Sequence, residues 1–197
     1  MLGWRDAGAA VTDAAGDELV DIVDVDDNVI DVVMRRAMRA GRLRHRAVYI
    51  VVVDRDGRVL VHQRSFAKDI AAGWWDIAVG GVVGAGERYD DAAVREVAEE
   101  IGVEVALDGR VAGGRMLHRL EPLGAARFEQ DELRVIGQVY RLVHDGPFTF
   151  ADGEVIGAEW ATIDELQRLI DVGERQFCAD SLAIVLPLLG GSRTLLS

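Results

Sequence analysis

Between Gly81 and Val103 the chain reads GVVGAGERYDDAAVREVAEEIGV, a glycine-rich loop running into a helix-compatible segment. Successive helix residues turn by roughly 100°. On that count Val94, Val97, Ala98 and Ile101 share one face, and Glu96, Glu99 and Glu100 fall on the opposite one. The apolar stripe is expected to pack on a sheet. The acidic stripe gathers three carboxylates into one patch, where like charges at helical spacing repel by about 0.2–0.5 kcal/mol per pair. For three glutamates taken alone, a solvated acidic face is a sufficient reading. A divalent cation is the chemical alternative: magnesium prefers hard oxygen ligands and commonly sits between carboxylates and substrate phosphates. Arg95 stands four residues before Glu99 and can pair with it.

The rest of the chain reads as strands around this helix. Glu18 to Ile30 alternates apolar and acidic residues, a strand, a turn at Asp26-Asp27-Asn28 and a second short strand. Asp31 is placed to cap a short helix to Ala40, ended by Gly41. Arg46–Val53 and Arg58–Arg64 are strands joined by a turn at Asp54-Arg55-Asp56-Gly57. Ser65 to Gly73 is a loop, and Trp74 to Val83 a short strand entering Gly80-Gly81. The helix over Asp90–Ile101 stops at Gly102. Strands follow near Val103–Leu107, Arg110–His118, Leu133–Val143 and Ala158–Ala161, then helices from Asp164 to about Val172 and from Ala179 to Leu189. Strands on both sides of an isolated helix, with helices closing the chain, predict an α/β fold with a mixed sheet between helical layers. Residues 1–17 are Ala-, Gly- and Asp-rich without clear period and read as a loose tail, leaving one domain over 18–197.

A formal net charge of −12 argues against a broad surface for DNA or RNA polymers, while leaving room for a locally basic cleft. Cys178, the single cysteine, excludes an intrachain disulfide and a cysteine-clustered zinc site, and reads as a buried small hydrophobe. No apolar run approaches the roughly 20 residues of a membrane span. With no continuous apolar core at the N-terminus, a soluble cytoplasmic protein is expected.

The segment resembles the Nudix box: Gly, five residues, Glu, seven residues, Arg-Glu, an aliphatic, any residue, Glu-Glu, any residue, Gly, an aliphatic. Gly81, Glu87, Arg95, Glu96, Val97, Glu99, Glu100, Gly102 and Val103 fill every fixed position. The resemblance implies a Nudix α/β/α sandwich with a mixed β-sheet and metal-dependent hydrolysis of a diphosphate bond. It makes Glu96, Glu99 and Glu100 the ligands of Mg²⁺ or Mn²⁺. Glu87 supports them from outside the ligand set, and the Gly80-Gly81 backbone approaches the metal and substrate. The general base varies among Nudix branches. Glu96 is one candidate, and Glu154 is preferred among the loop acids because it precedes Trp160 at a spacing seen in MutT-type enzymes; Glu129, Asp131 and Glu132 are weaker candidates.

Arg42, Arg44, His45, Arg46, Arg64 and Lys68 form a local basic exception, from which Arg46, Arg64 and Lys68 are expected to draw in a polyphosphate. Trp74 or Trp75 is a candidate to stack on a base; His62, His118 and His144 show no metal-ligand spacing. Segments such as LRHRAVYIVVVD and GWWDIAVGGVV also resemble a bacterial branch related to type I isopentenyl-diphosphate isomerase. That enzyme uses a cysteine before a Gly-His pair. Here Gly80 replaces the cysteine, Val82 the histidine, and Met38 a further metal histidine, although His45 is kept. Isomerase chemistry and a non-catalytic nucleotide sensor are therefore the alternatives to hydrolysis. The expected substrate is a nucleoside di- or triphosphate or another nucleoside-diphosphate-linked compound, and a homodimer is compatible with the family.

Overall fold

The computed structural model describes residues 14–68, 70–109, 111–112, 115–130, 132–150 and 153–190. A 3-10 turn over Ala14–Asp17 leads into β1 (Leu19–Val23), β2 (Val29–Met34), α1 (Arg35–Gly41), β3 (His45–Val53), β4 (Val59–Arg64) and β5 (Trp75–Asp76). After the glycine loop come α2 (Tyr89–Ile101), β6 (Val105–Ala106), β7 (Val111–Ala112), β8 (Arg115–Met116), β9 (His118–Gln130), β10 (Leu133–Val143), β11 (Val155–Ala161), α3 (Ile163–Val172) and α4 (Ala179–Gly190). Most of the expected loose tail, residues 1–13, lies outside the described residues.

β3 is the spine. It pairs in parallel with β10 along its whole length, from His45 opposite Val135 to Val53 opposite Val143. Because strand side chains alternate, Ala47, Tyr49 and Val51 enter one core, with Leu166 and Leu169 of α3 and Ile184 and Val185 of α4. Val48, Ile50 and Val52 enter the other, with Ala92, Ala93, Val97 and Ile101 of α2. The expected α/β/α layering follows from this two-sided burial. Gly137 of β10 is part of it: a Cβ there would lie 2.7 Å from the Tyr49 ring and 3.1 Å from Ile184.

β3 and β4 form the expected hairpin but pair only at Val53–Val59. The turn is fixed by Asp54, whose Oδ1 accepts from Asp56 N and Arg58 N and whose Oδ2 accepts from Arg58 Nε at 2.6 Å. Beyond that pair the strands part. The segment after β5 bridges β3 instead, at Ile50–Val79 and Ala47–Val82, while β4 pairs with β5 and β11. The strand expected over Trp74–Val83 is thus regular only at Trp75–Asp76.

Three other readings are corrected. Asp31 does not cap a helix: β2 continues to Met34, held against β1, and α1 begins at Arg35. The region read as one strand over Arg110–His118 is instead the short β7–β8 ribbon, with parts outside the described residues. The thirteen-residue β9, unassigned from sequence, forms because β10 supplies a partner from Leu133–Gln130 to Leu142–Leu120.

Candidate active site

α2 presents its carboxylates differently from the simple wheel. Ala93, Val97 and Ile101 are buried, and so is Glu96 at 8% exposure, whereas Ala98 is exposed. Positions 93, 96, 97, 100 and 101 form one i, i+3, i+4 stripe. Glu96 and Glu100 therefore sit at the edge of the inward face, and Glu99 points outward with its side chain 59% exposed. An opposite, solvated face for all three glutamates is not what forms.

Arg95 organises this ridge. Its Nε and Nη2 donate to the two oxygens of Glu87, each at 2.9 Å, and its Nη1 donates to Glu96 at 2.7 Å and to Glu99 at 3.1 Å. Glu87 also accepts from Gly84 N at 2.8 Å. Partial burial works to raise the Glu87 carboxyl, but the Arg95 and Gly84 hydrogen bonds outweigh it and hold the group below its ordinary value.

The glycine pair is set by close approach. Gly80 has φ +147°, and a Cβ on it would lie 2.0 Å from the Val48 carbonyl oxygen. A Cβ on Gly81 would lie 2.5 Å from a Glu96 carboxylate oxygen. Gly81 O accepts from Val48 N at 2.9 Å, and Gly80 N donates to Glu100 at 3.1 Å. A larger residue at either position displaces the sheet backbone or the carboxylate.

Two enclosed carboxylates result. Burial pushes the Glu96 carboxyl up, against the opposing contact with Arg95. Burial and then repulsion from Glu96 push Glu100 up to about 8, with the Gly80 amide opposing. Among the described residues no three His, Cys, Asp or Glu side chains form a preformed metal cage, and Arg95 holds one oxygen each of Glu96 and Glu99. The donors nevertheless fit a hard divalent cation. They are carboxylate oxygens, enclosed, mutually repelling, and shaped around Gly81, which leaves no Cβ where the Glu96 carboxylate lies.

The ridge opens onto a cleft of about 960 Å³. Gly80, Gly81, Arg95, Arg64, Lys68 and Glu154 all line it with the three glutamates. Lys68 is ion-paired with Glu154, and both act on the Glu100 carboxyl. Arg64 lies 3.9 Å from Asp76. Arg46 is not brought to this cleft. His45, Ala47 and Tyr49 line its floor, and strand alternation sends Arg46 the other way. There it meets Asp27 at 2.7 Å, Asp21 at 3.5 Å and the face of Tyr89.

Glu132 also lines the cleft, Glu129 is bound by Arg44, and Asp131 lies outside the described residues. Neither Trp74 nor Trp75 lines the cleft; Trp75 packs under the Arg175 guanidinium, 4.0 Å away. Cys178 is buried, as expected. The sequence reading missed Arg35 and Arg39 of α1, and Tyr49 and Asp180, joined by a 2.8 Å hydrogen bond. The i, i+4 spacing of Arg35 and Arg39 was the available signal for the first group. For Asp180 there was none, because α4 reaches the cleft only through the fold.

Residues 43–180 match the NUDIX domain. The chain is 40% identical over 169 residues to an uncharacterized Nudix hydrolase of Yersinia pestis, covering 86% of this chain and 84% of that protein. It is 38% identical over 168 residues to the uncharacterized Nudix hydrolase YfcD of Escherichia coli K12, covering 85% and 84%. The crystal structure of DR0079 from Deinococcus radiodurans matches with a TM-score of 0.67 at 29% identity, over 84% of this chain and 96% of that one. A loop-helix unit built around buried glutamates, on this sheet and with these relatives, makes the chain a member of the Nudix family: a Nudix hydrolase, of the class that cleaves pyrophosphate bonds and generally uses divalent metal ions.

Proposed function

We propose that this protein hydrolyses the diphosphate bond of a nucleoside di- or triphosphate, or of another nucleoside-diphosphate-linked compound, with Mg²⁺ or Mn²⁺ held by Glu96, Glu99 and Glu100. The observation that carries this reading is the enclosure of Glu96 and Glu100 side by side on a cleft that also holds Lys68 and Arg64. Buried like charges are costly unless something compensates them. When bound, a divalent cation supplies that counter-charge, opposes the charge on phosphate oxygens and acidifies water.

The chain's own residues do the rest. Glu87 fixes Arg95, which holds Glu96 and Glu99 in place. Lys68 and Arg64 offer positive charge to the phosphates, and Gly80 and Gly81 keep the backbone low enough for a substrate to approach the ridge. Glu154, beside Lys68 and within the electrostatic reach of Glu100, is the preferred group to take the proton from the attacking water. The site suits a small-molecule substrate. No helix of the described residues is long and apolar enough to cross a membrane.

The test is a panel of nucleoside di- and triphosphates, nucleotide sugars and dinucleotides with Mg²⁺ or Mn²⁺, run on the wild type beside Glu100→Gln. Metal-dependent phosphate release that is lost in the variant, with the fold intact by circular dichroism, is the expected result. Unchanged turnover in Glu100→Gln removes the catalytic assignment.

A further inference from the structure

The loop after β10 is fastened to the end of α2. Thr149 N donates to the Ile101 carbonyl oxygen at 3.0 Å, one of the last carbonyls that a helix cannot satisfy itself. A Cβ on Gly102, the left-handed cap, would lie 2.9 Å from Thr149 Cβ. Phe148 and Phe150 pack against the core that holds Ala92, Val97 and Ile101. Phe148 also meets Trp160 of β11, with ring centroids 5.9 Å apart. The loop thus closes the helix whose last turn carries Glu99 and Glu100.

Its other anchor is an imidazole pair. His118, at the start of β9, and His144, just past β10, sit edge to face with ring centroids 4.4 Å apart. Gly146 N donates to His144 Nδ1 at 2.8 Å, and the His144 ring lies 5.4 Å from that of Phe148. A ring nitrogen that accepts from a backbone amide carries no proton, so His144 is neutral with its proton on Nε2. That tautomer argues against a metal at the pair. A histidine ligated through Nε2 keeps its proton on Nδ1 and donates it, and here Nδ1 faces a donor. The same bond makes the loop sensitive to acid. Protonation of Nδ1 sets one N–H against another, and two imidazolium rings at this separation repel.

Burial and then His118 hold the His144 imidazole below its ordinary value, with Asp145 opposing them. Asp145 is itself engaged by Arg55, whose Nε lies 3.0 Å away and whose backbone N donates to it at 2.9 Å. On the other side of the pair, Glu104 stands one residue before Val105, the register partner of His118. The closed loop therefore favours the neutral ring. Because the folded value is depressed, the stabilisation is complete above the ordinary histidine value of about 6.5 and is lost as pH falls below it.

We propose that His144, together with His118, is an acid-released latch: in neutral solution it holds the 144–150 loop against the C-terminus of α2, and its protonation frees the loop and loosens the helical turn that bears Glu99 and Glu100. This device stands apart from the diphosphate-hydrolase reading and does not depend on the substrate.

The test is amide hydrogen exchange read by NMR on the full chain at about pH 7.5 and about pH 5.5, on either side of the ordinary histidine value. Each rate is divided by that of the free peptide at the same pH. In the wild type the Gly146 and Thr149 amides are expected to lose at least tenfold of their protection at the lower pH. The Ile50 amide, bonded to Val79 within the sheet, should change less than threefold. His144→Asn keeps an acceptor in place of Nδ1 and takes up no proton, so its loop amides should also change less than threefold. His118→Gln removes the second ring and should give an intermediate loss. Unchanged loop protection in the wild type, an equal loss at Ile50, or a loss in His144→Asn as large as in the wild type overturns the proposal. Should His144→Asn fail to fold, His118→Gln decides: a loss equal to that of the wild type overturns the proposal, and an intermediate one supports it.

Discussion

Two clusters of charge are set into this molecule, one on the cleft and one away from it, and they are built on opposite terms. The cluster around Arg46 is closed. Its guanidinium meets Asp27 through both side chain and backbone oxygen, Asp21 also takes Gly86 N, and Tyr89 adds its hydroxyl to Asp27 and its ring to the cation. The cluster around Arg95 is open. One guanidinium serves Glu87, Glu96 and Glu99, while Glu100 accepts from the Gly80 amide and is pushed up to about 8 by burial and by Glu96. The first stitches β1 and β3 to the start of α2. The second crowds two carboxyls beside a cleft. Such crowding suits the divalent cation of the proposed function.

Substitutions that balance or unbalance each cluster separate these roles. The largest effect is expected at Glu100→Gln, which should lower turnover by roughly 100-fold or more yet raise the melting temperature of the metal-free protein at neutral pH, because it removes a carboxyl that must take up a proton on folding. A metal-free melt that falls would show that Glu100 is structurally satisfied and the contrast mistaken. Arg46→Ala, in the closed cluster, should do the reverse. Leaving Asp21 and Asp27 without their cation costs about 3 kcal/mol by the measure of broken buried pairs, read by urea unfolding, with kcat of the folded fraction little changed.

A smaller effect is expected from Glu87→Gln. It weakens the grip on Arg95 and should reduce kcat about 10- to 100-fold, as removal of groups that orient metal ligands does. Its melting point should move by less than that of Arg46→Ala. Magnesium itself should sharpen the comparison. Titrated to a hundred times its Kd it should stabilise the wild type by about 2.7 kcal/mol, and chelation should reverse this and abolish turnover without unfolding the chain. The same titration on Glu100→Gln should give a markedly smaller shift. Thr162→Ala, remote from both clusters, serves as the baseline. It breaks the reciprocal cap in which Thr162 Oγ1 accepts from Glu165 N while the Glu165 carboxylate accepts from Thr162 N. A loss of about 1 kcal/mol is expected, with activity unaltered.

Much of this architecture could be read from local pattern. The α2 segment, the hairpin turn at Asp54–Gly57 and the helices α3 and α4 form close to where periodicity and turn chemistry place them. β9 could not be found that way. HRLEPLGAARFEQ contains a proline, a glycine and adjacent alanines, all weak in strands, and it is extended because β10 pairs with it. The helix assigned to Asp31 failed for a related reason: β1 captures that residue at Ile22.

The glutamate spacing, the glycines and the place of Arg95 among them were determined by the sequence alone, because they are fixed by residue order along one loop and one helix. Which carboxylates turn inward was decided by packing. A helix can roll on a sheet, and the burial of Ala92 and Ala93 rotates Glu96 and Glu100 toward the cleft and Ala98 out of it. Tertiary structure likewise parted His45 from its neighbour Arg46, since adjacent strand residues must face opposite ways. It also brought α1 and Asp180, far apart in the chain, to one cleft. Such meetings depend on long-range burial, and no local spacing encodes them.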